Sequence, residues 1–185
     1  VTIDRTAPSV TSIALQAGSD TGTSSSDGIT NATTLTYDLV FSESVTGVAS
    51  DDFTNGGTAT GCTFTPSGSG TTYTVSVGSC SAGTVILRFA ANGATDTAGN
   101  TGPTSLAAAT TVTIDRTAPT VTTIALQAGS DTGTSSSDLI TNATTLTYDL
   151  VFDESVTGVA SGDFTNGGTA TGCTFTPSGS GTTYT

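Results

Sequence analysis

The sequence has 185 residues, 15 of them acidic and three basic, so its formal net charge at pH 7 is -12. Nucleic acid and anionic membrane surfaces repel such a chain, and we expect neither as a partner. The absence of histidine and lysine excludes Ser-His-Asp and Cys-His catalysis and a lysine base, so we expect no enzyme. A carboxylate pair of Glu43 and Asp51 is the remaining catalytic alternative, and the repeat described below replaces Asp51 by Gly162.

Short runs of β-branched or alternating residues follow one another along the chain, each bounded by turn residues. Residues 35–41 alternate between apolar and polar side chains, which indicates a strand with one buried face. Phe53 is expected in a short strand before the Asn-Gly-Gly turn at 55–57. The other predicted strands are residues 10–17, 58–65, 71–77, 85–90 and 108–114. Six or seven short strands without a helix are typical of an all-β antiparallel sandwich of about 100 residues.

The chain repeats itself. The segment VTIDRTAP begins at Val1 and returns at Val112, 111 residues later. Residues 112–185 match residues 1–74 at 69 of 74 positions. The differences are Ser9/Thr120, Ser12/Thr123, Gly28/Leu139, Ser42/Asp153 and Asp51/Gly162.

This period has the length of a whole domain and exceeds the solenoid units of about 20 to 50 residues. We therefore predict one module with its leading linker at residues 1–111 and an incomplete second copy at 112–185, in which 112–119 form the linker. No apolar run reaches the 18 residues that a transmembrane helix needs, so we expect no direct membrane contact. Because the second copy stops within a predicted strand, we expect the chain to be a window on a longer molecule.

Two cysteines of the first copy, Cys62 and Cys80, are predicted to form a disulfide, with two buried free thiols as the alternative. Cys173 repeats Cys62, and the counterpart of Cys80 would be position 191, beyond the last residue. A loop of this size gives a stabilisation of roughly 3 kcal/mol. A disulfide implies an oxidising, extracytoplasmic setting. Too few other cysteines and no histidines are present to complete a tetrahedral zinc site.

Acidic residues form a first group where one module meets the next. In an antiparallel sandwich the loop after the first strand, with Asp20 and Asp27, lies at the end where the chain leaves. Asp115 of the linker departs from the same end. Asp153 and Glu154 of the second copy are expected to face them across the boundary between modules. The sequence therefore predicts a convergence of carboxylates at the junction.

A second acidic group is expected at the opposite end of the first module. The same geometry brings together Asp4, Asp96 and Asn100, with Glu43 nearby. Like charges held together repel one another unless they are protonated or bridged by a cation. This group therefore also predicts a cation site.

Calcium is the cofactor that the available ligands favour. Asp, Asn and Thr side chains and backbone carbonyls offer only hard oxygens, with no imidazole. Asp131 and Asp138 repeat Asp20 and Asp27 and are further candidate ligands. The alternative is that these aspartates only form Asx turns and keep the loops soluble.

Three segments carry a family resemblance: VTIDRTAP, SDTGTSSSDGITN and ATDTAGNTGP. The chain resembles, over its whole length, the immunoglobulin-like (Big-type) tandem repeats of giant bacterial surface adhesins. The resemblance implies tandem immunoglobulin-like antiparallel β-sandwiches, the second one truncated. It also implies rod-like stalks outside the cell, at the bacterial surface, that calcium stiffens at the domain junctions.

The leading functional hypothesis is a structural spacer or stalk module of a large extracellular adhesin, rigidified by calcium at its linkers. Its partners would be neighbouring copies of the same module. One alternative is a subunit of an extracellular filament, with other chains of a fibre as partners. Another is a module that binds carbohydrate or a host surface. Aromatic residues make up only 6% of the chain and tryptophan is absent, which leaves little surface for stacking on sugars.

Overall fold

Alternation of apolar and polar residues dictates the architecture, which a computed structural model describes for all residues 1–185. Strands and short 3₁₀ turns are the only regular elements, so the predicted all-β class is confirmed. The chain forms two units, Val1–Arg116 and Thr117–Thr185. The strands of the first unit are β1 (Val10–Leu15), β2 (Ile29–Thr30), β3 (Thr34–Thr46), β4 (Phe53–Asn55), β5 (Thr63–Gly78), β6 (Gly83–Val85), β7 (Leu87–Phe89), β8 (Ala94–Asp96), β9 (Thr101–Gly102), β10 (Ala107–Ala108) and β11 (Val112–Ile114).

The first unit is built from sheets that share one core. Strand β3 pairs antiparallel with β1 and β5 and, near its end, with β8, which in turn pairs with β9. Two three-stranded sheets have the orders β10-β7-β4 and β2-β11-β6. Strand β11 is antiparallel to β6 and parallel to β2.

Alternation along β3 places its apolar side chains in the core. Leu35, Tyr37 and Leu39 are fully buried, as their period of two predicts. They belong to one cluster with buried residues of β5, β6, β7 and β11. Each such aliphatic side chain contributes roughly 1.5–3 kcal/mol through burial. The same core contains the edge-to-face pair of Phe41 and Phe89, whose ring centroids are 5.5 Å apart.

Three predicted strands are shortened or divided: 58–65 begins only at Thr63, 85–90 divides into two strands, and 108–114 divides into β10 and β11. The side chain of Asn55 explains the first two. Its amide group donates to the carbonyl oxygens of Ala59 and Thr84, which holds the segment before Thr63 as a loop. Its carbonyl oxygen accepts from the Ile86 amide at 2.8 Å, so the predicted strand 85–90 divides into β6 and β7. These two strands therefore join different sheets.

The boundary between the units lies inside the segment 112–119 that the sequence assigns to a linker. Val112 and Ile114 are each 2% exposed, and they belong to β11 of the first unit. The reason is their alternation with Thr113, which lets β11 complete the sheet between β2 and β6. The sequence repeat begins at Val112, whereas the folded unit ends at Arg116.

The predicted disulfide between Cys62 and Cys80 is present, with an S–S distance of 2.03 Å. Strand β5 turns back on itself, so the two residues that flank it meet. The backbone shows the same approach, because a Cβ on Gly61 would lie 3.3 Å from the carbonyl oxygen of Ser79. Cys173 is a free, exposed thiol.

The second unit contains one antiparallel sheet of β12 (Val121–Leu126), β13 (Tyr148–Val156) and β14 (Gly179–Tyr184). Its buried cluster consists of Leu150, Val156 and Tyr184. Tyr148 is 45% exposed, although its counterpart Tyr37 is fully buried. In the first unit Tyr37 shares its buried cluster with residues of β6, β7 and β11, and the corresponding positions of the second copy would lie beyond residue 185.

Candidate metal centre

Three carboxylates converge at one end of the first unit. One oxygen each of Asp4, Glu43 and Asp96 lie within 4.8 Å of one another. Asp4 precedes β1, Glu43 lies in β3 and Asp96 ends β8. The register that pairs Val45 with Asp96 brings β8 beside the end of β3 and so places Asp96 close to Glu43. We call these three residues together with Asn100 the N-terminal cluster.

Asn100 holds the carboxylate of Asp96 in position. Its backbone amide donates to Asp96 Oδ1 at 2.8 Å, and its side-chain amide donates to Oδ2 at 2.7 Å. The same side-chain nitrogen lies 3.5 Å from the carbonyl oxygen of Asp4. The turn closes at Gly99, whose φ of +92° favours glycine. The structure thus brings together Asp4, Asp96 and Asn100, with Glu43 as a full member of the group.

The charges within the N-terminal cluster act against one another. Burial raises the pKa of Glu43 above its ordinary value, and the neighbouring charges of Asp4 and Asp96 raise it further. The Asn100 side chain lowers the pKa of Asp96 by hydrogen bonding to its charged form, and backbone amides of the turn add to this effect. The cluster therefore holds carboxylate oxygens close together, and a bound cation would stabilise their charged forms. The donor set is made of oxygen atoms and fits calcium.

The loop with Asp20 and Asp27 lies beside the backbone of Asp115 in the first unit. The amide of Asp115 donates to the carbonyl oxygen of Thr30 at 2.9 Å, and that of Thr113 donates to Gly28 at 2.7 Å. Asp20 is buried and Asp27 is exposed. Asp131 and Asp138 form the corresponding loop of the second unit, where Asp131 is buried and Asp138 is exposed.

Asp153 has local partners within the second unit. Its two carboxylate oxygens accept from the backbone amide and the hydroxyl group of Thr120, at 2.8 and 2.6 Å. These bonds lower the pKa of Asp153 below its ordinary value. In the first copy Ser42 Oγ accepts from the Ser9 amide at 3.0 Å in the same place. The sequence alone could have indicated this pairing, because Ser9 and Ser42 of the first copy are both replaced in the second, by Thr120 and Asp153.

Glu154 follows in β13 and is the counterpart of Glu43, just as Asp115 is the counterpart of Asp4. This equivalence gives Asp115 and Glu154 the same positions in the repeat as two members of the N-terminal cluster. The repeat therefore allows Asp115 to be grouped with Glu154 as well as with Asp20 and Asp27. The counterpart of Asp96 would be position 207, beyond the last residue.

No helix in the chain has the length and apolar character that crossing a bilayer requires.

No curated protein and no solved structure matches the chain. The sequence model of the bacterial Ig-like domain matches residues 6–116, which cover most of the first unit and more than half of the chain. Domains of this family are typically extracellular or surface-exposed and typically have no enzymatic activity. The sandwich-like arrangement of sheets and this match together show that the chain belongs to the bacterial Ig-like domain family.

Proposed function

We propose that the chain is a spacer in the stalk of a large bacterial surface protein, and that calcium at the N-terminal cluster stiffens the connection between successive modules. The family is one of extracellular structural and adhesin-type modules. The observation that carries the proposal is the composition of the cluster. Asp4 comes from the linker segment, whereas Glu43 and Asp96 come from the body of the module.

An ion bound by these three carboxylates would tie the linker to the module that follows it. Asp115 and Glu154 stand at the equivalent positions of the second copy. The backbone of Asp115 is held by Thr30 of the first unit. Of that site the second copy carries two carboxylates, Asp115 and Glu154, and an ion bound by both would link the end of one unit to the body of the next.

Anchoring at both ends of the linker sequence supports a stiff connection. At its start, β11 is buried and Arg116 donates to the carbonyl oxygens of Cys80, at 2.9 Å, and Ala32, at 2.6 Å. At its end, Pro8 of the first copy is fully buried. Pro8 lies directly against Gly102, where a Cβ would collide with the Pro8 carbonyl oxygen. A linker that carried both anchors would leave few residues between them, and its proline would further restrict the backbone.

The proposal is tested with the 185-residue chain in calcium and in chelator. Thermal unfolding reports on the first unit, and small-angle scattering reports on the hinge between the units. We expect calcium to raise the melting temperature and to narrow the distribution of particle dimensions, because the bound ion neutralises clustered charge and restricts the linker.

Two matched variants separate these effects. Glu43→Gln should reduce the calcium-dependent gain in melting temperature of the first unit while leaving the hinge response. Glu154→Gln should abolish the hinge response while leaving the first unit unchanged. Scattering curves and melting temperatures that are identical in calcium and in chelator would refute the proposal.

A further inference from the structure

The segment VTIDRTAP occurs twice in the chain, and its two copies have different surroundings. The second copy forms β11, where Val112 and Ile114 are each 2% exposed. The first copy forms no strand, and there Val1 is fully exposed and Ile3 is 72% exposed. The first residues of the chain therefore present a strand-forming sequence whose apolar side chains are uncovered.

In the first unit this segment is held by three carbonyl oxygens of residues 28–32. The donors are the amides of Thr113 and Asp115 and the guanidinium group of Arg116, and the acceptors are Gly28, Thr30 and Ala32, at 2.7, 2.9 and 2.6 Å. Strand β2 lies within this stretch and pairs only with β11. Strand formation by residues 28–32 therefore depends on the segment that docks there.

The second unit contains the same receiving stretch at residues 139–143, where it forms no strand. The carbonyl oxygens of Leu139, Thr141 and Ala143 correspond to the three acceptors of the first unit, and none of them accepts a hydrogen bond. Leu139 replaces Gly28 and keeps a similar backbone angle, with a φ of +61° against +72°. Its carbonyl oxygen is therefore available for the same contact.

The receiving stretch of the second unit has its shape before any strand docks. Thr141 Oγ1 donates to the Ser130 carbonyl oxygen at 2.9 Å and accepts from the Ala143 amide at 3.1 Å. The hydroxyl group of Thr30 makes the two corresponding bonds at the same distances. Little rearrangement is therefore needed for a strand to be added here.

The matching donors of the N-terminal segment are free as well. The amides of Thr2 and Asp4 correspond to the two backbone donors of the first unit, and neither makes a hydrogen bond. Arg5 corresponds to Arg116 and is exposed. Docking uses only the backbone amide of Asp4, so its carboxylate stays in the N-terminal cluster.

Apolar surface of the second unit is uncovered on the side where the strand would dock. Leu146 is 43% and Tyr148 is 45% exposed. Their counterparts in β3 are fully buried in one cluster with Val112 and Ile114. A docked segment would bring its two apolar side chains to the same place in the second unit.

We infer that residues 1–5 of one chain dock as a parallel strand against residues 139–143 of a second copy, in the register that β11 has against β2. The occupant is a second copy because the identical sequence is seated on the equivalent stretch of the first unit. The main-chain hydrogen bonds of an added strand supply the attachment. Each chain has one such donor segment and one open receiving stretch, so association is head to tail and continues beyond a dimer.

The test measures the mass of the 185-residue chain by sedimentation velocity over a wide range of concentrations, in chelator. The average mass should rise from the monomer value of 18.0 kDa with concentration and pass beyond that of a dimer. An excess of a synthetic peptide with the sequence of residues 1–7 should occupy the receiving stretch and reverse the association. The same peptide with aspartate in place of the isoleucine should have no effect.

Three variants identify the donor segment without risk to folding, because the altered side chains are exposed. Ile3→Asp should weaken association at least about tenfold, since it places a charge where β11 buries an apolar side chain. Ile3→Val is the matched control and should associate like the wild type. Arg5→Ala should weaken association about tenfold through the loss of a charged hydrogen bond to the Ala143 carbonyl oxygen.

Hydrogen exchange identifies the register. At high concentration the amides of Thr2 and Asp4 should become protected in the wild type, because they donate to the receiving stretch. In Ile3→Asp at the same concentration both amides should exchange freely.

Three results would overturn the inference. The first is a mass that stays at 18.0 kDa at every concentration. The second is association that Ile3→Asp leaves unchanged, which would indicate contact through another sheet edge. The third is association in which the amides of Thr2 and Asp4 stay unprotected. Because association is measured in chelator, its presence or absence is independent of the calcium response that tests the proposed function.

Discussion

Replacing both cysteines of the disulfide by alanine should destabilise the first unit and leave the second unit unchanged. The bond joins Cys62 and Cys80, which are 18 residues apart. The chain-entropy treatment of a loop of this length gives a loss of about 3 kcal/mol in the free energy of unfolding. For a domain of about 100 residues this corresponds to a fall of roughly 10 to 20 °C in melting temperature.

Urea unfolding of the wild type and of the double variant measures this loss, with chelator present to exclude effects of bound ions. Cys173→Ser is the matched control, because this thiol is free and exposed, and its stability should be that of the wild type. A loss below about 1 kcal/mol would refute the reasoning. It would mean that the turn within β5 already brings the two residues together in the unfolded chain.

Two further predictions concern the titratable side chains of Tyr37 and Glu43. The Tyr37 hydroxyl is buried without a partner, and burial raises the pKa of Tyr37 to about 12. Tyr37→Phe should therefore leave the free energy of unfolding unchanged or increase it by up to about 1 kcal/mol. Tyr73→Phe removes a 2.9 Å hydrogen bond to the Val45 carbonyl oxygen and should lower the free energy of unfolding by about 1–2 kcal/mol, measured with denaturant. Equal losses in both variants would contradict this. The raised pKa of Glu43 means that its stabilising contribution is complete below its ordinary value and is lost as pH rises through the folded-state pKa. In chelator, the stability of the wild type should fall relative to that of Glu43→Gln as the pH rises through the folded-state pKa of Glu43, and calcium should remove this difference. Parallel pH profiles of the two proteins in chelator would contradict the repulsion between the clustered carboxylates.

Some features of the fold follow from local pattern alone. The alternation from Leu35 to Phe41 determines which face of β3 is buried, because successive side chains of a strand point to opposite faces. The repeat of 111 residues identifies the module and relates Asp115 to Asp4 and Glu154 to Glu43. The pairing of Cys62 with Cys80 also follows from the sequence, because no other cysteine belongs to the first copy.

Other features depend on contacts between distant segments, which no local pattern contains. The register of β8 against β3 decides that Asp96 reaches Glu43. The side chain of Asn55 interrupts a strand that its own sequence predicts as continuous.

The acidic residues show most clearly which features follow from the sequence and which depend on tertiary contacts. Residue type and repeat position mark Asp20, Asp27 and Asp153 alike as candidate ligands. Only the tertiary structure gives Asp153 its partners on Thr120 and leaves Asp20 Oδ1 buried without one. Composition determines that this chain can offer calcium only oxygen ligands, whereas packing decides which of these oxygens face one another. The physical reason is that burial and strand register are set by long-range packing.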